Sequence, residues 1–158
     1  MSVIIRRAHP GDLPSVGRLG AALMRVHFEF DPQRFLRAGD DAALGYASFL
    51  GGMLHSDESA IFVAAVDETI VGYVWAALEP LSWKELRGPA GFIHDILVVE
   101  SARRQGIATQ LLDAAVGWLR ERKAPRVVLW TAAANEAGQK LFAQRGFRDT
   151  MIEMTMEL

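Results

Sequence analysis

Residues 92–109 read FIHDILVVESARRQGIAT and decide the fold. The first eight residues are mostly apolar and rich in Ile and Val, which predicts a buried strand. From about Arg104 to Lys123 the apolar residues recur at helical spacing, which predicts an amphipathic helix that packs on a sheet. A helix start leaves backbone N–H groups without partners, and Gly106 at the turn lets an anion approach the main chain. This order of elements therefore predicts a phosphate-binding loop.

The composition is that of an ordinary globular protein and excludes several kinds of chemistry. The 158 residues, 51% hydrophobic and 23% charged, are most economically one domain over residues 1–158. The sequence has no cysteine, which excludes disulfides, thiolate zinc sites and a cysteine nucleophile. Its four histidines lack the spacing of metal ligands, so we expect no metal.

Charge and hydropathy limit the partners that we expect. The formal net charge is -2, from 17 basic and 19 acidic side chains, which argues against a nucleic-acid surface of the usual basic kind. We find no N-terminal signal pattern and no apolar run long enough to span a bilayer. A cytoplasmic protein with no nucleic-acid or membrane partner is therefore expected.

The rest of the chain predicts short strands and helices in alternation. Asp12 is expected to cap the first helix, which continues to about His27, and residues 28–40 are expected to form a loop. Asp67-Glu68 predicts a tight hairpin turn. The other predicted strands are 2–6, 61–66, 70–75, 126–131 and 147–157 (one or two strands), and the other helices are 41–54 and 135–145. This order predicts a mixed α/β fold with a partly antiparallel sheet.

Two segments resemble a known family. Arg103, Gly106 and Ala108, after the strand at 92–99, match the form Arg/Gln-x-x-Gly-x-Gly/Ala and resemble motif A of the GNAT-type N-acetyltransferases. Residues 135–147, NEAGQKLFAQRGF, resemble the family's motif B, Asn-x-x-Ala-x-x-Leu-Tyr-x-x-x-Gly-Phe. The resemblance implies the GNAT fold, a splayed mixed sheet of six or seven strands with helices on both faces.

The resemblance also implies that acetyl-CoA is the acetyl donor. In the family the loop amides hold its pyrophosphate, and a bulged strand offers main-chain amides to its pantetheine arm. The strand contacts would be Leu97 and Val98, and Asn135, which also has the residue type of a helix N-cap, would be a further pantetheine contact. The contacts on the loop would be Arg103, Arg104, Gln105, Gly106, Ile107, Ala108 and Thr109.

Two positions depart from motif B. Gly138 stands in place of Ala, at a cost of about 1 kcal/mol if it lies within a helix. Phe142, at a cofactor-binding position, stands where many relatives have Tyr. That Tyr is the usual candidate for protonating the departing thiolate. Because Phe has no proton to give, the acid stays unassigned.

His94 and Asp95 are the candidate catalytic residues. An amine must lose a proton before it attacks a thioester, and a positioned His, Glu or Asp commonly accepts that proton. The unperturbed pKa of histidine suits a base near pH 7, and Asp95 could orient an ammonium group or share a water molecule. Relatives often carry Glu-Asp at this place. A structural hydrogen bond is the alternative role of His94.

The acceptor is expected against the loop between the first two helices. His27, Glu29, Asp31 and Phe35 are the candidate substrate contacts there, and Glu79 is a further candidate before the central strand. Aromatic rings and carboxylates together could hold a cationic amine by cation–π and charge contacts. The aromatic residues could equally serve to pack the loop.

These features predict an acetyl-CoA-dependent N-acetyltransferase that transfers the acetyl group directly to a primary amine of a small cationic or aminoglycoside-like molecule. A protein N-terminus or lysine stays open as the acceptor. Because Phe142 lacks a hydroxyl, a non-catalytic acyl-CoA-binding sensor is the alternative. Homodimers through the final strands are common among relatives, and residues 151–156 alternate so that one apolar face is expected to be buried against a helix or a partner.

Overall fold

The computed structural model describes residues 2–158 and has five strands and four α-helices in that part of the chain. The strands are β1 (Val3–Arg7), β2 (Ser59–Val66), β3 (Thr69–Glu79), β4 (Ala90–Val98) and β5 (Val127–Leu129). The helices are α1 (Leu13–Phe30), α2 (Ala42–Gly51), α3 (Ile107–Glu121) and α4 (Glu136–Gln144). The strands lie in the order 1-2-3-4-5, and all neighbours are antiparallel except β4 and β5. The predicted mixed α/β class is confirmed.

Each face of the sheet is covered by two helices. Alternate side chains of a strand point to opposite faces. Ile61, Val63 and Tyr73 are therefore buried together with residues of α1 and α2. Ala64 and Val74, on the other face, are buried with residues of α3 and α4. The two faces thus form two separate clusters, and α1 and α2 cover the one that contains Tyr73.

Three local predictions needed correction. α1 ends at Phe30 instead of His27, because its backbone bonds continue until the Asp31 amide donates to the His27 carbonyl. α3 begins at Ile107, since Gly106 before it has a left-handed φ of 74°. Asp12 makes no side-chain cap to α1, because its carboxylate instead accepts hydrogen bonds from the Arg6 guanidinium at 2.7 and 2.9 Å.

The predicted strands within 147–157 are wrong. Residues 145–158 have no regular secondary structure, and residues 148–158 are all exposed. The alternation of apolar side chains is present, but a strand forms only against the edge of another strand, and no described strand pairs with this segment. The sheet therefore has five strands instead of six or seven.

The pairing of β4 changes in the middle of the strand. Asp95 pairs with Trp75 but Ile93 pairs with Ala76, so β4 has one extra residue, His94, and the ladder contains a bulge. On the other side, β5 pairs only with residues 91–93 of β4. Beyond Ile93 the β5-facing edge of β4 is therefore open, and β4 and β5 form the splayed pair that the resemblance implied.

Candidate active site

The bulge sets His94 and Asp95 on the same face of the sheet. In a regular strand two neighbouring side chains point to opposite faces, and one extra residue cancels that alternation. The His94 ring accordingly stacks on Phe92, with ring centroids 5.4 Å apart, while the Asp95 carboxylate accepts a hydrogen bond from Tyr73 at 3.0 Å. Tyr73 belongs to the α1–α2 face, and Phe92 lies on the same face because it pairs with Ala77, four residues after Tyr73 in β3. The two candidate catalytic side chains thus lie next to each other, under α1 and α2.

Asp95 lies between two tyrosine hydroxyls. Tyr46 of α2 and Tyr73 of β3 both donate to its Oδ2. Burial raises the pKa of Asp95, and the two hydroxyls and the nearby His94 and His27 oppose that rise. Burial and the neighbouring carboxylate also raise the pKa values of both tyrosines, so their hydroxyls stay protonated as donors. The site therefore holds a buried carboxyl group with two fixed donors on one oxygen.

Both tyrosines escaped the sequence analysis. They are the two tyrosines of the whole chain, and each stands in an otherwise apolar stretch. A buried phenol needs a hydrogen-bond partner, and Asp95 is the carboxyl group at hand. A single tyrosine in an apolar stretch thus indicates a buried hydroxyl that needs a partner, although nothing in the sequence identifies Asp95 as the partner of Tyr46.

Two glycines of α1 bring Tyr46 to the sheet. A Cβ on Gly20 would lie 1.9 Å from Cδ1 of Tyr46, and a Cβ on Gly17 would lie 2.4 Å from the carbonyl oxygen of Ala43. Only glycine at both positions lets α2 pack this closely across α1. The position of the Tyr46 hydroxyl therefore depends on residues that carry no side chain.

His94 is paired with Glu79, at the end of β3. His94 Nε2 lies 2.8 Å from Glu79 Oε1. The ring of Trp75 lies 4.5 Å from the His94 ring and, with Phe92, holds its plane. In a neutral ring that donates Nε2–H to Glu79, Nδ1 is the free acceptor. The structure thus brings Glu79 to the candidate base, where the sequence had suggested a substrate contact.

A cavity of about 280 Å³ adjoins these groups. Four of the predicted site residues line it together, namely His27, Phe35, His94 and Asp95. The other lining residues are Gly20, Leu23, Met24, Arg34, Leu36 and Tyr46. The cavity therefore opens between α1, α2 and β4, on the face where the acceptor was expected.

Three predicted substrate contacts lie outside the lining of this cavity: Glu79, which is paired with His94, and Glu29 and Asp31. Glu29 is exposed on α1. Asp31 accepts hydrogen bonds from the backbone amides of Gln33 and Arg34, at 3.1 and 3.3 Å, and so shapes the turn after α1. Arg34 does line the cavity, and the sequence analysis missed it.

The loop before α3 presents unpaired amides. The N–H groups of residues 104–109 donate no hydrogen bond within the described part of the chain, and the first bond of the helix runs from Gln110 N to Gly106 O. Arg104 and Gly106 both have positive φ, 63° and 74°. Residues 103–106 are exposed, Ile107 is buried in the core, and Ala108 and Thr109 are half-buried. Arg103 Nε donates to the carbonyl of Val98 at 3.0 Å and ties the loop to β4.

The open edge of β4 presents further amides. Val99 N donates to Val71 O of the β3 side at 2.8 Å. Because successive amides of a strand alternate in direction, the N–H groups of Val98 and Ile96 point to the open edge and that of Leu97 points to β3. Val98 therefore meets the geometric requirement of an edge contact, and Ile96 is an edge residue that the sequence analysis missed.

The second motif forms α4 with the expected caps. Asn135 Oδ1 accepts from the Gly138 amide at 3.0 Å, and Gly146 has a φ of 96° just after the helix. A Cβ on residue 138 would lie 2.4 Å from Asn135 Nδ2, which gives the departure from Ala a physical reason. Phe142 is 7% exposed and packs edge-on against Phe147.

Residues 2–158 hold no candidate metal cluster and no candidate membrane-spanning helix. No group of three or more His, Asp or Glu side chains in this range could hold a metal ion. None of the helices described here combines the length and the apolar character needed to cross a membrane.

Comparison with known proteins assigns the family. The profile of the Acetyltransferase (GNAT) family matches residues 20–147. The aminoglycoside N(6')-acetyltransferase type 1 of Klebsiella aerogenes is 28% identical over 103 residues, 65% of this chain and 68% of that protein. An N-alpha-acetyltransferase of Sulfurisphaera tokodaii is 32% identical over 100 residues, 60% of each chain. The structure of AAC(6')-Iy with the bisubstrate analogue CoA-S-monomethyl-acetylneamine superposes with a TM-score of 0.74 at 23% identity, over 100% of this chain and 99% of that chain. The chain therefore belongs to the acetyltransferase (GNAT) family.

Proposed function

We propose that this protein is an N-acetyltransferase that transfers an acetyl group from acetyl-CoA directly to a primary amine. One observation carries the proposal. The bulge of β4 sets His94 and Asp95 side by side at the point where the strand loses its β5 partner. The unpaired amides at the start of α3 follow after one short loop. Membership of the acetyltransferase family supports the same reaction.

The residues on the donor side fit a coenzyme A diphosphate. No atom lies within 4 Å of the place that a Cβ on Gly106 would take, so the backbone there is open to a phosphate. We assign the diphosphate to the amides of residues 104–109 and the pantetheine arm to the edge at Val98 and to Asn135. When bound, acetyl-CoA supplies the acetyl group as a thioester.

His94 is the proposed base and Asp95 the proposed anchor of the amine. With Nε2–H donated to Glu79, the Nδ1 atom of His94 can accept the proton of the attacking amine. The Glu79 carboxylate then stabilises the imidazolium. Asp95, held by two hydroxyls, offers its free oxygen to the ammonium form of the amine. No covalent acyl-enzyme on cysteine is involved, because the sequence has none.

The departing thiolate needs no acid from residue 142 in this scheme. Phe142 is buried and has no proton to donate. A thiol pKa of about 8.5 permits departure as the thiolate near neutral pH. The cavity therefore has to supply only the base and the anchor.

The proposed acceptor is a small molecule with a cationic primary amine, aminoglycoside-like in the broad sense. The name of the Klebsiella aerogenes relative supports this class. The name of the Sulfurisphaera tokodaii relative supports a second class, the α-amino group of a protein or peptide. Because the matched regions span 60 to 68% of these relatives, neither acceptor transfers to this chain by similarity alone.

A homodimer through residues 148–158 is proposed as well. Ile152, Met154 and Met156 are each at least 80% exposed, and a second copy would remove them from water. Light scattering on the full chain and on a chain that ends at residue 147 tests this. A full chain that is monomeric at micromolar concentration contradicts it.

The proposed reaction is tested by coenzyme A release from acetyl-CoA with a panel of amines. We expect turnover with at least one amine and binding of coenzyme A by calorimetry. Binding without turnover on any amine would favour the sensor instead, and absence of binding would refute both.

His94→Ala tests the assignment of the base. We expect kcat/KM to fall by about 100-fold or more and its acidic limb to flatten, because the proton acceptor is lost. His55→Ala is the matched control, since His55 is an exposed histidine between α2 and β2. An unchanged pH profile in the His94 variant would remove it from the mechanism.

A further inference from the structure

We propose that the acceptor carries a carboxylate close to its amine, and that Arg34 binds this carboxylate. The inference rests on the proposed function and narrows its substrate class. Arg34 follows α1 and lines the same cavity as Asp95. Its guanidinium holds a carboxylate of this very chain, that of Glu153, through Nε and through Nη2, the latter at 2.8 Å. The structure thus contains a carboxylate bound at the cavity by two parallel hydrogen bonds.

The cavity has opposite charges in its lining and apolar walls. Asp95 is its one acidic lining residue, and Arg34 is its one arginine or lysine. Leu23, Met24 and Phe35 line it as well. A zwitterionic amine can place its ammonium at the carboxylate and its own carboxylate at the guanidinium. A polycation finds only one carboxylate and is repelled by the arginine.

Two carboxylates that led the sequence analysis to expect a cationic acceptor, those of Glu29 and Asp31, lie outside the cavity lining. Glu29 is exposed on α1 and outside the lining. Asp31 is bonded to the amides of the turn at residues 33 and 34. Besides the titratable His27 and His94, the charged side chains that residues 2–158 place in the lining are therefore Asp95 and Arg34, with no surplus of acidic groups.

Arg34 is held in place before any ligand arrives. Its guanidinium lies over the Phe35 ring, 4.8 Å from the centroid, and its amide donates to the Asp31 carbonyl at 3.2 Å. Its side chain is 37% exposed and so stays accessible from the cavity mouth. A planar guanidinium with a fixed orientation recognises a carboxylate by two parallel bonds, which a lysine could not reproduce.

Glu153 is held weakly enough to be displaced. It belongs to residues 148–158, which are all exposed, and its bonds to Arg34 are the only side-chain hydrogen bonds between this segment and the rest of the described chain. Exposed ion pairs contribute little to stability, because water solvates both partners. An acceptor carboxylate can therefore replace Glu153 at Arg34. Glu153 then acts as an internal competitor for the Arg34 guanidinium.

The test uses matched amines that differ in the carboxylate alone. Each amino acid of the panel is assayed beside its amide and its decarboxylated amine, with neamine as a polycation that has no carboxylate. We expect wild-type kcat/KM to be about 10- to 100-fold higher for the carboxylate member of the best pair. Arg34→Gln should remove that preference, because it should raise KM far more for the carboxylate member than for the decarboxylated amine. Glu153→Gln should lower KM for the carboxylate member several-fold.

Arg37→Gln is the control for Arg34→Gln. Arg37 lies three residues further on, over the Phe28 ring at 4.5 Å, and is outside the cavity lining. We expect Arg37→Gln to keep the preference of the wild type for the carboxylate member.

An equal loss of kcat/KM on both members of each pair in the Arg34 variant would overturn the inference, but it would not contradict the proposed acetyltransferase activity. Neamine as the best acceptor, with a KM raised by Glu153→Gln, would overturn it too and make Glu153 an ammonium contact. Absence of turnover on every amine would refute the proposed function itself, and the inference with it.

Discussion

The two sides of β4 are built from different parts of the chain. On the donor side backbone groups dominate, and the open strand edge, the glycine turn and the first turn of α3 come from the continuous stretch 90–109. On the proposed acceptor side, the contacts come mainly from side chains of α1, the loop after α1, α2, β3 and β4. The donor side is therefore set by local sequence, whereas the acceptor side exists only after two helices have packed on the sheet.

Because the two sides use different groups, substitutions should damage them separately. A change of a cavity side chain should leave the binding of coenzyme A intact. A change of backbone conformation at the turn should abolish that binding and leave the cavity unchanged.

Asp95→Asn should have the largest effect, and it should affect the acceptor side alone. Asn keeps the shape and an acceptor oxygen for Tyr46 and Tyr73, but it carries no charge to anchor the amine. We expect kcat/KM to fall by about 100-fold or more and the Kd of coenzyme A to change by less than about twofold. Kinetics with the best amine and calorimetry measure the two quantities. A weakened coenzyme A affinity of similar size would contradict the separation.

The same substitution should stabilise the fold at neutral pH. Burial raises the pKa of Asp95, so the folded state binds the proton more tightly than the unfolded chain does. The contribution of Asp95 to wild-type stability is therefore fully present below its unfolded pKa of about 3.9 and is lost as pH rises through its folded pKa. Since Asn does not titrate, the free energy of unfolding of the variant should rise relative to that of the wild type as pH rises from about 3.9 through the folded pKa of Asp95. Denaturant unfolding at several pH values measures the difference.

Asp12→Asn is the matched control, and its effect on stability at neutral pH should have the opposite sign. The hydrogen bond from Arg6 lowers the pKa of Asp12, so this carboxylate stabilises the fold above its unfolded pKa and loses that contribution as pH falls through its folded pKa. The variant should be less stable than the wild type at neutral pH and equally active. A stability gain here would show that the charge effect is not specific to the bulge.

Gly106→Glu should abolish donor binding. Residue 106 has a φ of 74°, which a side chain adopts at a cost, and a carboxylate there would repel the diphosphate. We expect the Kd of coenzyme A to rise by about 100-fold, which corresponds to about 2.7 kcal/mol. Gly117→Glu is the control, because a Cβ at that position in α3 meets no atom within 4 Å and the backbone there is helical. Unchanged affinity for coenzyme A in the Gly106 variant would contradict the assignment of this loop as the phosphate-binding site.

The sequence predicted the backbone features of the proposed donor side because their physical cause is local. An apolar strand, Gly106 and a helical stripe lie within one window, and each of them acts on the backbone next to it. The residues of the acceptor side were only partly predictable. His94 and Asp95 became candidates through their place in the strand, whereas Tyr46 contacts Asp95 only because Gly17 and Gly20 let α2 cross α1.

Charges in loops were the least predictable feature. Asp31 and Arg34 are near neighbours in sequence, yet one bonds to the turn and the other lines the cavity. Which of them faces the acceptor depends on the last turn of α1, which ends at Phe30. The prediction of strands in the final segment was wrong for a related reason. The alternation at residues 151–156 can form a strand only against the edge of another strand, and that edge is not part of the segment itself.

Gly20→Ala should test the assembly of the acceptor side from a distance. The new Cβ would lie 1.9 Å from the ring of Tyr46, so the ring must move away from Asp95. We expect kcat/KM to fall by about tenfold and the free energy of unfolding to fall by about 1–3 kcal/mol, as for other overpacked sites. Gly45→Ala, on α2 where a Cβ meets no atom within 4 Å, should gain up to about 1 kcal/mol and keep full activity. Full activity in the Gly20 variant would show that the contact of Tyr46 with Asp95 is not used.

Gly138→Ala should have the smallest effect and show whether the departure from motif B is structural. Alanine gains about 1 kcal/mol of helix propensity over glycine, but its Cβ would lie 2.4 Å from Asn135 Nδ2 and displace the cap that accepts from the amide of residue 138. Loss of such a cap costs about 1 kcal/mol, so the net change in unfolding free energy should be close to zero. Gly117→Ala has no such neighbour, so its free energy of unfolding should rise by the full helix-propensity gain of about 1 kcal/mol. Equal gains in the two variants would mean that Asn135 has room to turn aside, and that its cap does not require glycine at residue 138.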